Sequence, residues 1–334
     1  DEKIKEDVDV LFGGIVCKGF SLAGVRNPFD IRNYLYKEQL RIVKKLKPKI
    51  SIIENVPGLK KMKLYKQCAE TEETFKEYTE LSNKNKSLNG QKSALTKEKK
   101  TYDHITKKIN ENKDIMKKLL TNIEQYKYSI FEDIQNEYKK LGYNQFKSMI
   151  MNVSEYGGYT TRKRLIIVAI RDDIKKQYIW PEKIENKNNK LIDALNSIDI
   201  EGINNPKIDV DNQPMKHKKK TVERFKYIPE GKNIADIMYK LPDNLKISKF
   251  YSRGSTQRLD RYKPVPTLVP GHSNFPIHPL ENRSITVREA ATITGFPLDY
   301  KFVGSHTSRC MQVGNAVPVQ LAFAIAKSVL KILE

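Results

Sequence analysis

A cysteine in a glycine-rich loop is the first candidate for chemistry in the sequence. Cys17 lies within residues 13–21 (GGIVCKGFS), directly after the apolar run 8–12 (VDVLF). Glycines let the backbone approach a ligand closely, and Lys18 together with free loop amides favours the thiolate, the nucleophilic form of cysteine. Taken alone, the pattern equally describes a small cysteine buried in a core.

Charged side chains stand at the ends of two more apolar runs. Glu54 and Asn55 follow residues 50–53, where a carboxylate near a nucleophile can serve as an acid; the alternative is a turn or helix cap. Arg162 and Arg164 open the run 165–170 (LIIVAI). Two arginines spaced two apart share one face of an extended chain and suit phosphate or carbonyl oxygens; the alternative is an exposed basic strand start.

These residues require an α/β framework to position them. Residues 8–12 and 50–53 read as buried strands, and residues 34–46 between them have helical periodicity that Pro48 ends. A strand–helix–strand unit predicts a parallel sheet with a right-handed crossover. Ligands bind at the carboxyl edge of such sheets, so we expect Cys17 and Glu54 to share a pocket. Further strands are predicted at 143–153 and 165–170, and helices at 286–294 and 319–333 around a turn at 314–318.

A different composition interrupts this pattern. Residues 59–142 are rich in Lys, Glu, Asn and Gln, and apolar residues recur there every seven positions: Leu81, Leu88, Leu95, Tyr102, Ile109, Met116 and Ile123. One regular column without a complete second one predicts long helices in a projecting hairpin rather than a full coiled coil. Gly90 is expected to interrupt them. The segment is either a solvated surface insertion or an arm that docks a partner.

Composition narrows the class of partner. The 334 residues contain 61 Lys and Arg against 40 Asp and Glu, a net charge of +21, which favours nucleic acid over an anionic membrane surface. No apolar run approaches the roughly 18–20 residues of a spanning helix. Three cysteines and no Cys/His spacing predict a reducing compartment, the cytoplasm and nucleoid, and no metal site.

Together, and in this order, the motifs resemble those of the DNA (cytosine-5) methyltransferase family. Residues 13–21 resemble its catalytic loop G-G-x-P-C-Q-x-F-S, residues 52–58 (IIENVPG) its ENV motif, and residues 154–173 its Q-x-R-x-R motif. The closing segments are 265–272 (VPTLVPGH), 283–297 (RSITVREAATITGFP) and 312–318 (QVGNAVP). The implied fold is the Rossmann-like sheet of S-adenosylmethionine-dependent methyltransferases, with a helical insertion and a small target-recognition domain.

The resemblance implies roles for individual residues. Cys17 would add to C6 of a cytosine flipped out of duplex DNA, Glu54 would contact N3 and the exocyclic amine, and Arg164, with Arg162 beside it, would hold the base. S-adenosylmethionine is the implied cofactor, and the residues expected to line its pocket are Val16, Leu35, Asn315, Ala316 and Val317. The residues expected to contact DNA are Lys18, Ser21, Lys216, Lys218, Lys219 and Lys220.

The resemblance also implies a division of the chain. Residues 1–58, 143–172 and 276–334 would form the catalytic domain, 59–142 the insertion, and 173–275 a target-recognition domain with little regular core. The family's F-x-G-x-G-G cofactor loop has no counterpart upstream of Asp7, so the sheet is expected to be N-terminally truncated. A second chain could supply that loop, the sequence could be a fragment, or methyl transfer could be lost.

Smaller departures are Val16 for Pro, Lys18 for Gln, Thr160 for Gln and Thr294 for Gln. The leading hypothesis is a DNA cytosine C5 methyltransferase of a restriction–modification or defence system. The alternatives are a catalytically silent or split DNA-binding subunit and an RNA cytosine methyltransferase.

Overall fold

The chain forms two compact units. The computed structural model describes residues 7–15, 28–98, 100–184, 189–198, 200–247, 254–269 and 275–334. One unit comprises Asp1–Ile150 and Leu165–Lys176, and the other comprises Met151–Arg164 and Gln177–Glu334. Each unit has its own buried apolar clusters.

The first unit carries most of the regular strands. In chain order its elements, two of which continue into the second unit, are β1 (Val10–Gly14), α1 (Tyr36–Leu46), β2 (Ile50–Asn55), β3 (Lys63–Tyr65), α2 (Ala69–Lys97), α3 (Asp103–Asn122), β4 (Lys127–Ser129), α4 (Ile130–Lys140), β5 (Gln145–Asn152) and β6 (Lys163–Ile170). Short 3-10 helices at Ile31–Tyr34, Pro57–Lys61 and Glu124–Tyr126 connect them.

The main sheet has the strand order β1-β2-β6-β5. Strands β1 and β2 are parallel, with Val10 opposite Ile50 and Gly14 opposite Glu54, which confirms the predicted strand–helix–strand unit. Strand β6 runs antiparallel to β2. All six residues of β2 and the last six of β6 are buried, because α1 and α4 contribute side chains to the same core. An uninterrupted apolar run is the sequence pattern of a strand covered on both faces.

The predicted insertion contains a hairpin of two long helices, α2 and α3, which we call the helical arm. The prediction of a break at Gly90 is wrong, since α2 continues through it and the turn lies between Lys97 and Asp103. Asn112 Nδ2 donates to Asn85 Oδ1 at 2.8 Å between the helices. At the root of the arm, Phe29 packs against Phe75 and Tyr78 with ring centroids 3.8 and 4.8 Å apart.

The predicted insertion also holds elements of the α/β core. Strands β3 and β4 pair with each other on either side of the arm, and α4 buries Ile130, Ile134 and Tyr138 in the core of the first unit. The apolar residues of α4 have helical spacing. The sequence prediction placed α4 in the insertion only because the neighbouring residues are rich in charge.

The second unit is mainly helical. Its helices are α5 (Leu191–Asn196), α6 (Lys219–Lys226), α7 (Val287–Thr294), α8 (His306–Asn315) and α9 (Val319–Leu333). The expectation of little regular core in residues 173–275 is wrong: a buried cluster joins Phe225, Ile228, Ile234, Ile237, Leu241, Leu245 and Ile277. Short 3-10 helices supply many of these side chains, and their irregular spacing hides the core in the sequence.

The segment His306–Leu333 is long and apolar enough, by length and composition alone, to cross a membrane. This differs from the expectation that no such run exists. Pro318 separates α8 from α9 within it, and both helices bury side chains, including those of Cys310, Val313, Leu321 and Ile325.

Candidate active site

Glu54 lies at the carboxyl end of β2, directly opposite the last residue of β1. That partner is Gly14, and a Cβ atom built on it would lie 4.0 Å from Glu54 Oε2. Glu54 is only 8% exposed. The carboxylate therefore lies beside the end of β1 that leads in sequence toward Cys17, and the shared pocket of Cys17 and Glu54 stays a prediction. Cys17 itself, with Val16, Lys18 and Ser21, lies outside the described residues.

Asn55 links the same two strand ends. Its Nδ2 donates to Ile15 O at 3.2 Å, and its Oδ1 accepts from Val56 N at 2.8 Å. Asn55 is 1% exposed. The amide thus joins the backbone after β1, two residues before Cys17, to the backbone after β2. The sequence predicts only a cap for Asn55, although an asparagine directly after a buried apolar run indicates a polar side chain with hydrogen-bond partners.

Arg162 connects three motifs within the second unit. Its Nη1 donates to Gly314 O at 2.9 Å and to Leu268 O at 3.3 Å, and the residue is 5% exposed. Its carbonyl accepts from Val153 N at 3.0 Å. Because a guanidinium presents several donors in a fixed plane, it can hold separate backbone segments together. The structure therefore gives Arg162 a clamping role that the sequence did not reveal.

The other predicted residues lie on surfaces of their own units. Arg164 is half-buried at the start of β6, with Nη1 donating to Lys163 O at 2.8 Å. In the second unit, Asn315 is exposed at the end of α8, and Ala316 and Val317 form the half-buried turn before α9. Leu35 is 37% exposed at the start of α1 in the first unit.

A buried ion pair organises residues 283–297. The two Nη atoms of Arg283 donate to the two carboxylate oxygens of Glu289, each at 2.8 Å. Burial acts to lower the pKa of Arg283, but its hydrogen bonds to Glu289 and Glu281 outweigh burial and raise it above the ordinary value. Thr286 and Glu289 form a reciprocal cap at the start of α7. This motif supports the fold of the second unit.

The predicted DNA-contacting lysines surround the start of α6. All are exposed: Lys216, Lys218, Lys219 and Lys220. His217 anchors their segment, since its Nε2 accepts from Ser284 N at 3.3 Å and its ring lies edge-on to Phe225 at 5.1 Å. Burial lowers the pKa of His217, which favours the neutral ring that this hydrogen bond requires.

A known protein family matches most of this chain. The model of the C-5 cytosine-specific DNA methylase family matches residues 1–79 and 111–331. The chain belongs to this family. Residues 80–110, between the two matched ranges, belong to the outer portion of the helical arm.

Several bacterial members of the methylase family match almost the whole chain. The type II methyltransferase M.Eco47II of Escherichia coli is 29% identical over 99% of this chain and 65% of its own length. The type II methyltransferase M1.HphI of Haemophilus parahaemolyticus is 27% identical over 97% of this chain and 68% of its own. The chain thus spans about two thirds of the length of these relatives.

The fold agrees with this membership. A crystal structure from an E. coli prophage, described as a DNA modification methyltransferase, aligns with a TM-score of 0.54 at 20% identity. The alignment covers 99% of this chain and 81% of that chain. The α/β methyltransferase fold expected from the sequence is therefore confirmed.

The described residues support neither a metal site nor a reactive thiol at Cys310. No group of three or more His, Cys, Asp or Glu side chains there could hold a metal ion. Cys310 is buried in the core, and burial raises the pKa of its thiol to about 11. A thiol with that pKa remains protonated near neutral pH, so Cys310 is not a candidate nucleophile.

Proposed function

We propose that this protein is a DNA cytosine C5 methyltransferase, which transfers a methyl group from S-adenosylmethionine to a cytosine flipped out of a specific duplex sequence. The observation that carries the proposal is the buried Glu54 at the carboxyl end of β2, beside the strand end that leads to Cys17. The type II names of the relatives favour a role in a restriction–modification system.

In the proposed reaction the Cys17 thiolate adds to C6 of the cytosine, forming a C–S bond and making C5 nucleophilic. Glu54 shares a proton with N3, so that the ring carries no full negative charge while the thiolate adds. C5 takes the methyl group, a base removes the C5 proton, and the C–S bond breaks to return the thiolate. The buried position of Glu54 beside the strand end that leads to Cys17 suits a group that contacts the base rather than solvent.

Arg164 is proposed to donate to the carbonyl oxygen of the cytosine, which suits a half-buried guanidinium at a strand start. Arg162 is proposed as its support rather than as a base contact, because its Nη1 is engaged by two backbone carbonyls. The exposed lysines before and within α6 are proposed to bind DNA phosphates next to the recognised bases.

The residues proposed to contact the cofactor offer polar and apolar surfaces, each within its own unit. The partly exposed Leu35 offers an apolar surface at the start of α1, and the exposed Asn315 offers an amide beside the turn of Ala316 and Val317. When bound, S-adenosylmethionine supplies an electrophilic methyl group. Leu35 would pack against it and Asn315 would hydrogen-bond to it.

Methyl transfer from labelled cofactor tests the proposal. The purified gene product is incubated with duplex DNA of varied sequence, with Cys17→Ser as the inactive control. We expect Glu54→Gln to lower kcat by about 10²-fold, as loss of a proton-transfer group does. Glu38→Gln, which alters an exposed carboxylate of α1, should leave kcat unchanged.

The same assay separates the alternatives. Labelling of RNA in preference to duplex DNA would replace the proposal with RNA methylation. DNA binding without label transfer, under conditions where the cofactor is bound, would replace it with a catalytically silent subunit.

A further inference from the structure

A groove lined by lysines lies at the root of the helical arm, on the first unit. It encloses about 880 Å³, and we call it the basic groove. Its lysines are Lys37, Lys60, Lys61, Lys63, Lys66 and Lys127. Among the described residues, Glu132 and Asp133 are the carboxylates in its lining. Six lysines against two carboxylates leave a strong positive excess, which requires a polyanion or many counterions nearby.

The fold concentrates these charges at the sheet edge where the active site begins. The 3-10 helix Pro57–Lys61 begins two residues after Asn55, the last residue of β2, and supplies Lys60 and Lys61. In the β3–β4 ladder Lys63 lies opposite Ser129 and Tyr65 opposite Lys127, so Lys63 and Lys127 share one face. The groove therefore begins within a few residues of Glu54 and continues to the arm.

Local contacts orient two of the lysines. Lys60 Nζ lies 5.5 Å from the centroid of the Phe131 ring, and Lys127 Nζ lies 5.7 Å from that of Tyr65. Such contacts position the ammonium groups while leaving other faces open to a ligand. Lys127 Nζ also donates to Glu124 Oε1 at 2.6 Å, so this ion pair partly offsets its charge, and the other five lysines supply most of the positive excess. Of the lining carboxylates, Asp133 already accepts from Tyr36 Oη at 2.6 Å.

We propose that the basic groove binds the sugar–phosphate backbone of substrate DNA beyond the bases that are recognised. The proposal rests on the proposed DNA methylation. Lysine suits this contact because it is a point charge that attracts phosphate without the bidentate geometry that reads guanine. The described lining has no aliphatic side chain, which disfavours a protein partner, whose interface core would be apolar and poor in lysine.

The test compares two triple variants with equal loss of charge. The groove variant carries Lys61→Gln, Lys63→Gln and Lys66→Gln, all at exposed positions. The control variant carries Lys44→Gln, Lys45→Gln and Lys139→Gln. These exposed lysines lie near the ends of α1 and α4, which precede β2 and β5 at the opposite edge of the sheet.

Binding to a 40-base-pair duplex is measured by fluorescence anisotropy between 50 and 200 mM salt. The slope of log K against log salt is negative, and each lost phosphate contact reduces its magnitude by about 0.9. Loss of three contacts therefore reduces the magnitude by about 2.7. The affinity difference between wild type and groove variant should then shrink about 40-fold across this salt range. The control variant should keep the wild-type slope, and Lys→Arg at the three groove positions should restore it.

Other outcomes would overturn the proposal. Equal slopes for the groove variant and wild type would show that the groove does not contact DNA, and equal loss in both triple variants would show a general charge effect. Loss of binding to single-stranded RNA with unchanged DNA binding would assign the groove to a different polyanion. Because the slope comes from a binding measurement, it tests DNA contact by the basic groove even if the protein proves to have no methyltransferase activity.

Discussion

The link between β1 and β2 through Asn55 predicts that Asn55→Ala will lower methyl transfer more than it lowers stability. The substitution removes the bond to Ile15 O at 3.2 Å and the bond from Val56 N at 2.8 Å. Each bond contributes about 1 kcal/mol, and both backbone partners are half-buried, so water can replace the lost partner in part. We expect a loss of about 2 kcal/mol in the free energy of unfolding, measured by urea denaturation.

The larger effect should appear in kcat. Ile15 precedes Cys17 by two residues, so a released carbonyl changes the direction in which the loop leaves β1. A displacement of about 1 Å at a reacting group can cost about 10²-fold in rate. Steady-state methylation at a temperature where the variant is fully folded should therefore show kcat reduced by about that factor, with a smaller change in KM for DNA.

Asn112→Ala is the matched control, because it removes a 2.8 Å amide hydrogen bond within the helical arm, far along the chain from the strand ends. It should lower stability with little change in kcat. If the two variants lose kcat equally, or if the loss in Asn55→Ala equals its unfolded fraction, then Asn55 supports the fold only and the positioning argument is wrong.

Three further outcomes follow from the structure. Arg162→Gln should destabilise the second unit by about 3 kcal/mol, as expected for removal of a charged donor from two buried carbonyls, and urea denaturation measures this. The hydrogen bond from Arg283 lowers the pKa of Glu281. The ionised Glu281 carboxylate therefore stabilises the fold fully above the unfolded pKa of about 4.3, and this stabilisation is lost as pH falls through the lower folded pKa. Between about pH 6 and 3, the urea midpoint of Glu281→Gln should fall less steeply than that of the wild type. Gly13→Ala should lower the melting temperature more than Gly14→Ala, as measured by thermal denaturation. A Cβ atom at residue 13 would lie 2.1 Å from Oε1 of the buried Gln39 of α1, whereas a Cβ atom at residue 14 would lie 4.0 Å from Glu54 Oε2.

Buried strands were the most predictable part of the fold. Residues 165–170 are apolar throughout because both faces of β6 are covered, and an uninterrupted run of that length leaves few other structures. The carboxyl-edge position of Glu54 followed from the same reasoning, since parallel strands joined by one helix end at the same edge.

The long-range contacts of Arg162 within the second unit could not be predicted in the same way. Arg162 binds the carbonyl of Gly314, which is 152 positions away in the chain, and a carbonyl leaves no trace in the sequence. The expected break at Gly90 is absent because glycine weakens a helix by only about 1 kcal/mol, which is less than the packing between α2 and α3 contributes.

The basic groove shows why the helical arm matters even where the family model does not match it. Lys63 and Lys127 are separated by the whole arm in sequence, yet the β3–β4 ladder returns them to one face. That return requires α2 and α3 to meet in one register, which the bond between Asn85 and Asn112 favours, because a shift along either helix would leave a buried amide unsatisfied. By closing on itself, the arm brings Lys127 beside the lysines that follow β2 and so completes the basic groove that we propose binds DNA.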